Sequence, residues 1–209
     1  MSRVFRTLAF LALFGSSVAA QDENPWYVSL GAGFTGVVDS DGPTGQDISF
    51  DEGYSLNLGI GRTIWRREGF RGGLHGEVLL NNFDVDEDDA AALSLSSEKT
   101  ESVSFFLNAT GDWSLAPQFG IYGAIGVGFA ANITADGFDQ PGPFTLQDDS
   151  VFAWQAKAGF KYGLGNGPDL NLGYRFVSFD GAEITSLTSE SFDLELDQHI
   201  FEVVLNWGI

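Results

Sequence analysis

Apolar and polar side chains alternate in eight separate stretches of this chain, and a period of two marks a β-strand with one apolar face. In the first, Trp26 to Gly36, the positions Trp26, Val28, Leu30, Ala32 and Phe34 share a face opposite Tyr27, Ser29, Gly31, Gly33 and Thr35. The pattern returns over Tyr54–Ile64, Phe70–Phe83, Val103–Trp113, Phe119–Ala131, Phe152–Tyr162, Leu170–Phe179 and His199–Ile209. Helical periodicity appears in none of them. Connections after the odd stretches are long and polar, spanning Val37–Gly53, Asp84–Ser102, Asn132–Val151 and Asp180–Leu196. Those after the even stretches are brief and hold turn formers: Glu68-Gly69, Ala116-Pro117 and the run from Gly163 to Pro168. Eight strands joined in this rhythm predict an all-β domain, an eight-stranded antiparallel up-and-down barrel.

Such a barrel is greasy inside if it is a soluble lipocalin-like carrier and greasy outside if it spans a membrane. The polar parity decides between them. It gathers glycines together with Arg71, Glu77, Asp112, Lys157, Lys161, Arg175 and Glu202, and small plus paired charged residues suit a narrow lumen filled by side chains. The apolar parity carries aromatic residues near its ends, at Trp26, Tyr54, Trp113, Trp154, Tyr162, Tyr174 and Trp207, as interfacial girdles require. The expectation is a transmembrane β-barrel with the apolar parity outward.

Ahead of the strands, Arg3 and Arg6 precede the apolar run Leu8 to Phe14 and the small residues Ser16 to Ala20, the layout of a secretory signal peptide. Residues 1–20 are expected to be removed and residues 21–209 to form the barrel domain. Removal takes two of the 10 basic residues and none of the 29 acidic ones, leaving a mature net charge of −21. A nucleic-acid partner is excluded on that ground, since phosphate binding needs an excess of Lys and Arg. With no cysteine, neither a disulfide framework nor a thiolate metal site is available. Barrels of this kind keep short turns on the periplasmic side, which puts both mature termini in the periplasm and the four long connections outside. Those connections hold most of the acidic residues, while Arg62, Arg66, Arg67 and Arg71 cluster about the first short turn.

The segments WYVSLGAGF, FDEGYSLNLGIGR, GIYGAIGVGFA, LNLGYRF and the closing QHIFEVVLNWGI together resemble the opacity-type, OmpA-like outer-membrane β-barrel family of Gram-negative bacteria. The resemblance covers essentially the whole mature chain and lies in the order and spacing of the segments. It implies a cell outer membrane location and roles as surface antigen, adhesin, structural anchor or small pore, with no catalytic residues to carry over. The terminal strand fits recognition by the barrel assembly machinery, although Ile209 stands where the usual last residue is Phe. No peptidoglycan-binding domain is expected beyond it.

Candidate chemistry is sparse. Asp84, Asp86 and Asp88 begin like a calcium loop, but Asp89 occupies the position of the required Gly and Leu95 that of the bidentate Glu. They are expected to be a solvated acidic loop that attracts divalent cations loosely, not a metal site, and no cofactor is expected. Some eight-stranded barrels modify lipid A with a His, a Ser and a carboxylate. Here His75 falls on the lumen parity beside Glu77, and His199 on the outward parity is followed two positions on by Phe201 instead of Ser, so no enzyme is expected. The remaining charged set, Glu77, Asp112, Lys157, Lys161, Arg175 and Glu202, is expected to pair within the lumen, because a lone charge there carries a heavy desolvation cost. The function expected is a structural and surface-recognition scaffold displaying four acidic extracellular loops to an unidentified ligand, among outer-membrane lipid and lipopolysaccharide. A small ion channel is the alternative.

Overall fold

The structure, a computed structural model, describes residues 25–38, 40–41, 47–48, 50–85, 99–135, 144–146, 150–165, 167–186 and 191–209. Eight long strands run in chain order: β1 (Trp26–Val37), β2 (Phe50–Arg67), β3 (Phe70–Val85), β4 (Lys99–Ala116), β5 (Phe119–Ala135), β6 (Ser150–Gly163), β7 (Asp169–Ser186) and β8 (Ser191–Gly208). Each pairs antiparallel with its sequence neighbours, and β8 returns to β1 in a continuous ladder from Tyr27↔Gly208 to Val37↔Gln198. The sheet is therefore a closed up-and-down barrel whose main ladders leave no open edge, the only kind of sheet whose backbone polar groups are all satisfied in lipid. Gly69 (φ 71°) closes the β2–β3 turn and Gly165 (φ 73°) sits in the β6–β7 turn, both in the left-handed conformation that glycine adopts without strain.

Strand existence and parity agree with the alternation, but the strands extend further toward the long connections than the pattern suggests. β2 begins at Phe50 instead of Tyr54. β7 continues to Ser186 and β8 begins at Ser191, so most of the expected connection Asp180–Leu196 is a paired hairpin with register Ala182↔Leu194 to Thr185↔Ser191. A short segment, Phe144–Leu146, adds to the far end of β7. Once two strands are in register, each further residue satisfies its N–H and C=O by continuing the ladder. Polar composition conceals that continuation from a reading based on alternation.

The outward wall is apolar. Phe34 (75% exposed), Ile125 (70%) and Phe201 (66%) lie on it with Leu58, Ile60, Leu107, Val127, Phe160 and Leu172, a contiguous surface far larger than a water-soluble protein leaves uncovered. The parity is that of a membrane barrel, and the lipocalin-like alternative, which needs the greasy face inward, is at odds with it.

Inside, the lumen is layered. Toward the long connections, Leu79, Phe106, Ala130, Val151, Ala153, Val177, Phe179 and Ile200 form an apolar plug. Beyond it Asn81 donates to Gln198 at 2.6 Å. On the short-turn side of the plug come buried charges and amides, and then a polar cavity of about 100 Å³ reached from the short-turn end and lined by Tyr27, Arg71, Asp112, Tyr122 and Lys161 among others.

Glycine makes room for the large inward groups. A Cβ on Gly59 would lie 2.3 Å from His75 Nε2 and 2.8 Å from the Gly76 carbonyl oxygen, whereas one on the outward Gly76 meets only the Ile60 carbonyl oxygen at 4.0 Å. Gly59→Ala is expected to lower stability by roughly 1–3 kcal/mol through overpacking, with Gly76→Ala nearly silent. Urea unfolding of the detergent-folded barrel, followed by tryptophan fluorescence, checks this; equal midpoints for the two variants would contradict it.

Candidate functional site

Six strands contribute to the polar centre of the lumen, because every second residue of each points there. Glu77 on β3 accepts from Lys157 Nζ of β6 at 2.5 Å and from Arg175 Nη1 of β7 at 3.3 Å. Arg175 also donates through Nη2 to Glu202 Oε2 of β8 at 2.6 Å and through Nε to the same oxygen at 3.0 Å. Amides complete the set. Asn57 of β2 donates to Glu202 at 3.2 Å, Asn108 of β4 to Glu77 at 3.3 Å, and Gln155 of β6 to Asn108 at 2.7 Å and to Glu77. Arg175 is fully buried and Glu77, Glu202 and Lys157 nearly so. Two carboxylates meet two cations, the arrangement in which buried charge is least costly.

Asp112 and Lys161 do not join this centre. Lys161 Nζ lies 2.6 Å from Asp169 and 3.5 Å from Asp112, and Arg71 lies 3.9 Å from Asp169, forming a second, half-exposed group at the short-turn mouth of the cavity. The six charged residues read as one lumen set thus divide into four and two. Asp169 was missed because it precedes the apolar alternation by one residue. Asn57, Asn108 and Gln155 are legible on the polar parity, but nothing in a single sequence says that they share a level with Glu77. Of the acidic loop, Asp86 and Asp88 lie outside the described residues; Asp84 is placed only as backbone, paired with Asp51 and Lys99.

His75 is buried, stacked on Tyr27 at 5.6 Å, with Ser29 Oγ 2.8 Å from its Nε2 and Glu77 3.9 Å from its Nδ1. A serine, a histidine and a carboxylate therefore stand in the order of a hydrolytic relay, a feature the sequence does not reveal because Ser29 and His75 are 46 residues apart. The carboxylate of this set is engaged elsewhere, since Glu77 is held by Lys157 and Arg175, and Ser29, only 1% exposed, lines the narrow polar cavity together with His75. His199 stands on the other side of the wall, hydrogen-bonded through Nδ1 to the Tyr174 hydroxyl and packed against Phe176.

The charged centre ties β2, β3, β4, β6, β7 and β8 together, so removing one member is felt by the whole barrel. Arg175→Met leaves Glu202 without a cation and Glu77 with Lys157 alone and is expected to cost roughly 3–5 kcal/mol, whereas Lys161→Met at the wetter mouth is expected to cost below about 1 kcal/mol. Chemical denaturation of both variants in the same micelles gives the comparison; equal losses would mean that the buried centre is not the stronger tie.

The outer membrane protein beta-barrel domain family matches residues 7–208. No curated protein matches the chain. Among solved structures, Neisserial surface protein A is similar at 13% identity and a TM-score of 0.55, covering 88% of this chain and 97% of its own. The outer membrane protein AlkL, solved in lipid bilayers, is similar at 16% identity and a TM-score of 0.52, covering 94% and 96%. The outer membrane enzyme PagL stands at 14% and 0.47, covering 88% and 99%. At these identities the likeness is one of fold alone, and the specific role is not determined by it. With a closed antiparallel barrel, an apolar outer wall and a family match over nearly its full length, this chain belongs to the outer membrane protein beta-barrel domain family and is a protein of the outer membrane.

Proposed function

We propose that this protein is a non-catalytic scaffold that presents its long acidic connections at the cell surface for recognition of an external ligand. The observation that carries the reading is the layered lumen. The apolar plug of Leu79, Phe106, Val177, Phe179 and Ile200 lies between the charged centre and the long connections, so the interior serves rigidity, and the variable part is left to the connections that a stable frame holds out. The orientation proposed is both mature termini in the periplasm, in keeping with short turns at that end. Residues 1–20 are proposed to be the cleaved signal, residues 21–209 the mature domain, and the closing strand the segment read by the assembly machinery. Lipopolysaccharide is the proposed surrounding at the outer rim.

A small channel is favoured by one observation, the polar cavity that reaches Glu77 and Glu202 from the short-turn end. The plug argues against it, since the apolar side chains of Leu79, Phe106 and Ile200 stand between the cavity and the Asn81–Gln198 pair, and the buried polar groups beside them, Thr35, Ser55 and Ser104, carry no charge. The purified protein in planar bilayers is expected to give no discrete conductance steps, and steps in the wild type would favour the channel. Protease added to intact cells is expected to cut only within the long connections, and the mature N-terminus by mass spectrometry is expected to be Gln21; cleavage in the short turns would reverse the orientation.

The Ser29–His75 contact supplies a direct test of the non-catalytic reading. A fluorophosphonate probe is expected to leave the folded barrel unlabelled. Labelling that disappears in Ser29→Ala would establish a reactive serine and overturn it.

A further inference from the structure

Cations on the outward wall are confined to one place among the described side chains. Among residues whose side chains are described, Arg62 and Arg67 are its only basic groups: Arg66 and Arg71 line the lumen cavity, and Lys157, Lys161 and Arg175 lie within the lumen. A bulge produces this. Thr63 pairs with Gly73 and Trp65 with Gly72, so Ile64 is an extra residue and the parity of β2 inverts. Without the bulge, Trp65 and Arg67 would point into the lumen. With it they point out, at the same rim as Trp26, Phe70 and Trp113.

Each guanidinium rests on an indole. Arg62 Cζ lies 5.3 Å from the ring centroid of Trp26, and Arg67 Cζ lies 5.2 Å from that of Trp65. Trp65 continues into Phe70 and Trp113 at centroid distances of 6.3 and 5.1 Å. The last two rings approach backbone that only glycine leaves open, for a Cβ on Gly111 would sit 3.0 Å from the Trp113 ring. Neither Arg62 nor Arg67 forms an ion pair with any described carboxylate. A stacked guanidinium still presents its N–H edge, and at a membrane interface that edge needs an anionic acceptor to offset its lost hydration. Phosphate fits, because the planar fork bonds two of its oxygens at once.

We propose that this rim binds the phosphates of anionic glycerophospholipids, one at Arg62 over Trp26 and one at Arg67 over Trp65. Five residues of strand separate the two sites by about 16 Å or less, so they take two lipids or one lipid with two phosphates. The choice of glycerophospholipid over lipopolysaccharide rests on the orientation proposed above, but the binding test in micelles reads neither orientation nor role, so its failure leaves those readings untouched.

The test is native mass spectrometry of the folded full-length barrel in micelles containing equal amounts of phosphatidylglycerol and phosphatidylcholine. The wild type is expected to retain phosphatidylglycerol preferentially, and the preference is expected to fall about fivefold for each of Arg62→Gln and Arg67→Gln. A double variant that keeps its gel mobility shift and the wild-type preference overturns the proposal. If the double variant does not close, the wild type alone decides: a preference that withstands molar sodium chloride overturns it, and one that declines supports it. Complete displacement of the lipid by millimolar inorganic phosphate would assign the site to a free anion and overturn the lipid assignment.

Discussion

The constraint on which the rest depends is that four charges, Glu77, Lys157, Arg175 and Glu202, are enclosed in a lumen too narrow to hydrate them. Each must find its partner across the barrel. Arg175 does this by reaching both carboxylates with different edges of its fork, something a lysine with a single ammonium does not do in the same geometry. The amides of Asn57, Asn108 and Gln155 then occupy the carboxylate lone pairs that the cations leave. The cost of misplacing any strand is high, because six of them share this one arrangement. Register along the whole barrel is thereby fixed by a few polar atoms at mid-height, while the apolar wall outside sets only which face points where.

Space is the second condition. A lumen holding Tyr27, His75, Tyr122, Lys157 and Arg175 has no volume left for side chains at every inward position, and glycine fills the remainder. Gly59 lies beneath His75, and Gly61 beneath the Tyr27 ring, where a Cβ would come within 2.1 Å of it. The high glycine content that looks like low complexity in the sequence is the complement of the large inward residues. On the outside the same residue type does a different job at Gly72 and Gly111, where it admits the Phe70 and Trp113 rings close to the backbone.

Strand number, face assignment and the existence of a polar interior were legible in the sequence because a period of two survives even in a weakly hydrophobic strand. What was not legible follows from features that leave no such trace. The bulge at Ile64 inverts the parity of Trp65 and Arg67, and no periodic reading detects an insertion of one residue near a strand end. The strand extensions at Phe50, Ser186 and Ser191 rest on backbone pairing, which is blind to side-chain polarity. The division of the charged set into a buried centre and a mouth group depends on stagger between strands, so that Lys161 and Lys157, four residues apart on the same face, end in different surroundings. Ser29 beside His75 is likewise a product of stagger, and neither residue advertises the other.

The plug and the charged centre together turn the barrel into a strut with two unlike ends. The narrow cavity entered from the short-turn side extends to the level of Glu77 and ends at the apolar layer of Leu79 and Ile200. The polar centre sits on the short-turn side of that layer, where its ion pairs join strands across the lumen. On the scaffold reading proposed above, mechanical rigidity is what this interior supplies, and a rigid frame is what long connections need if their shape is to be recognised.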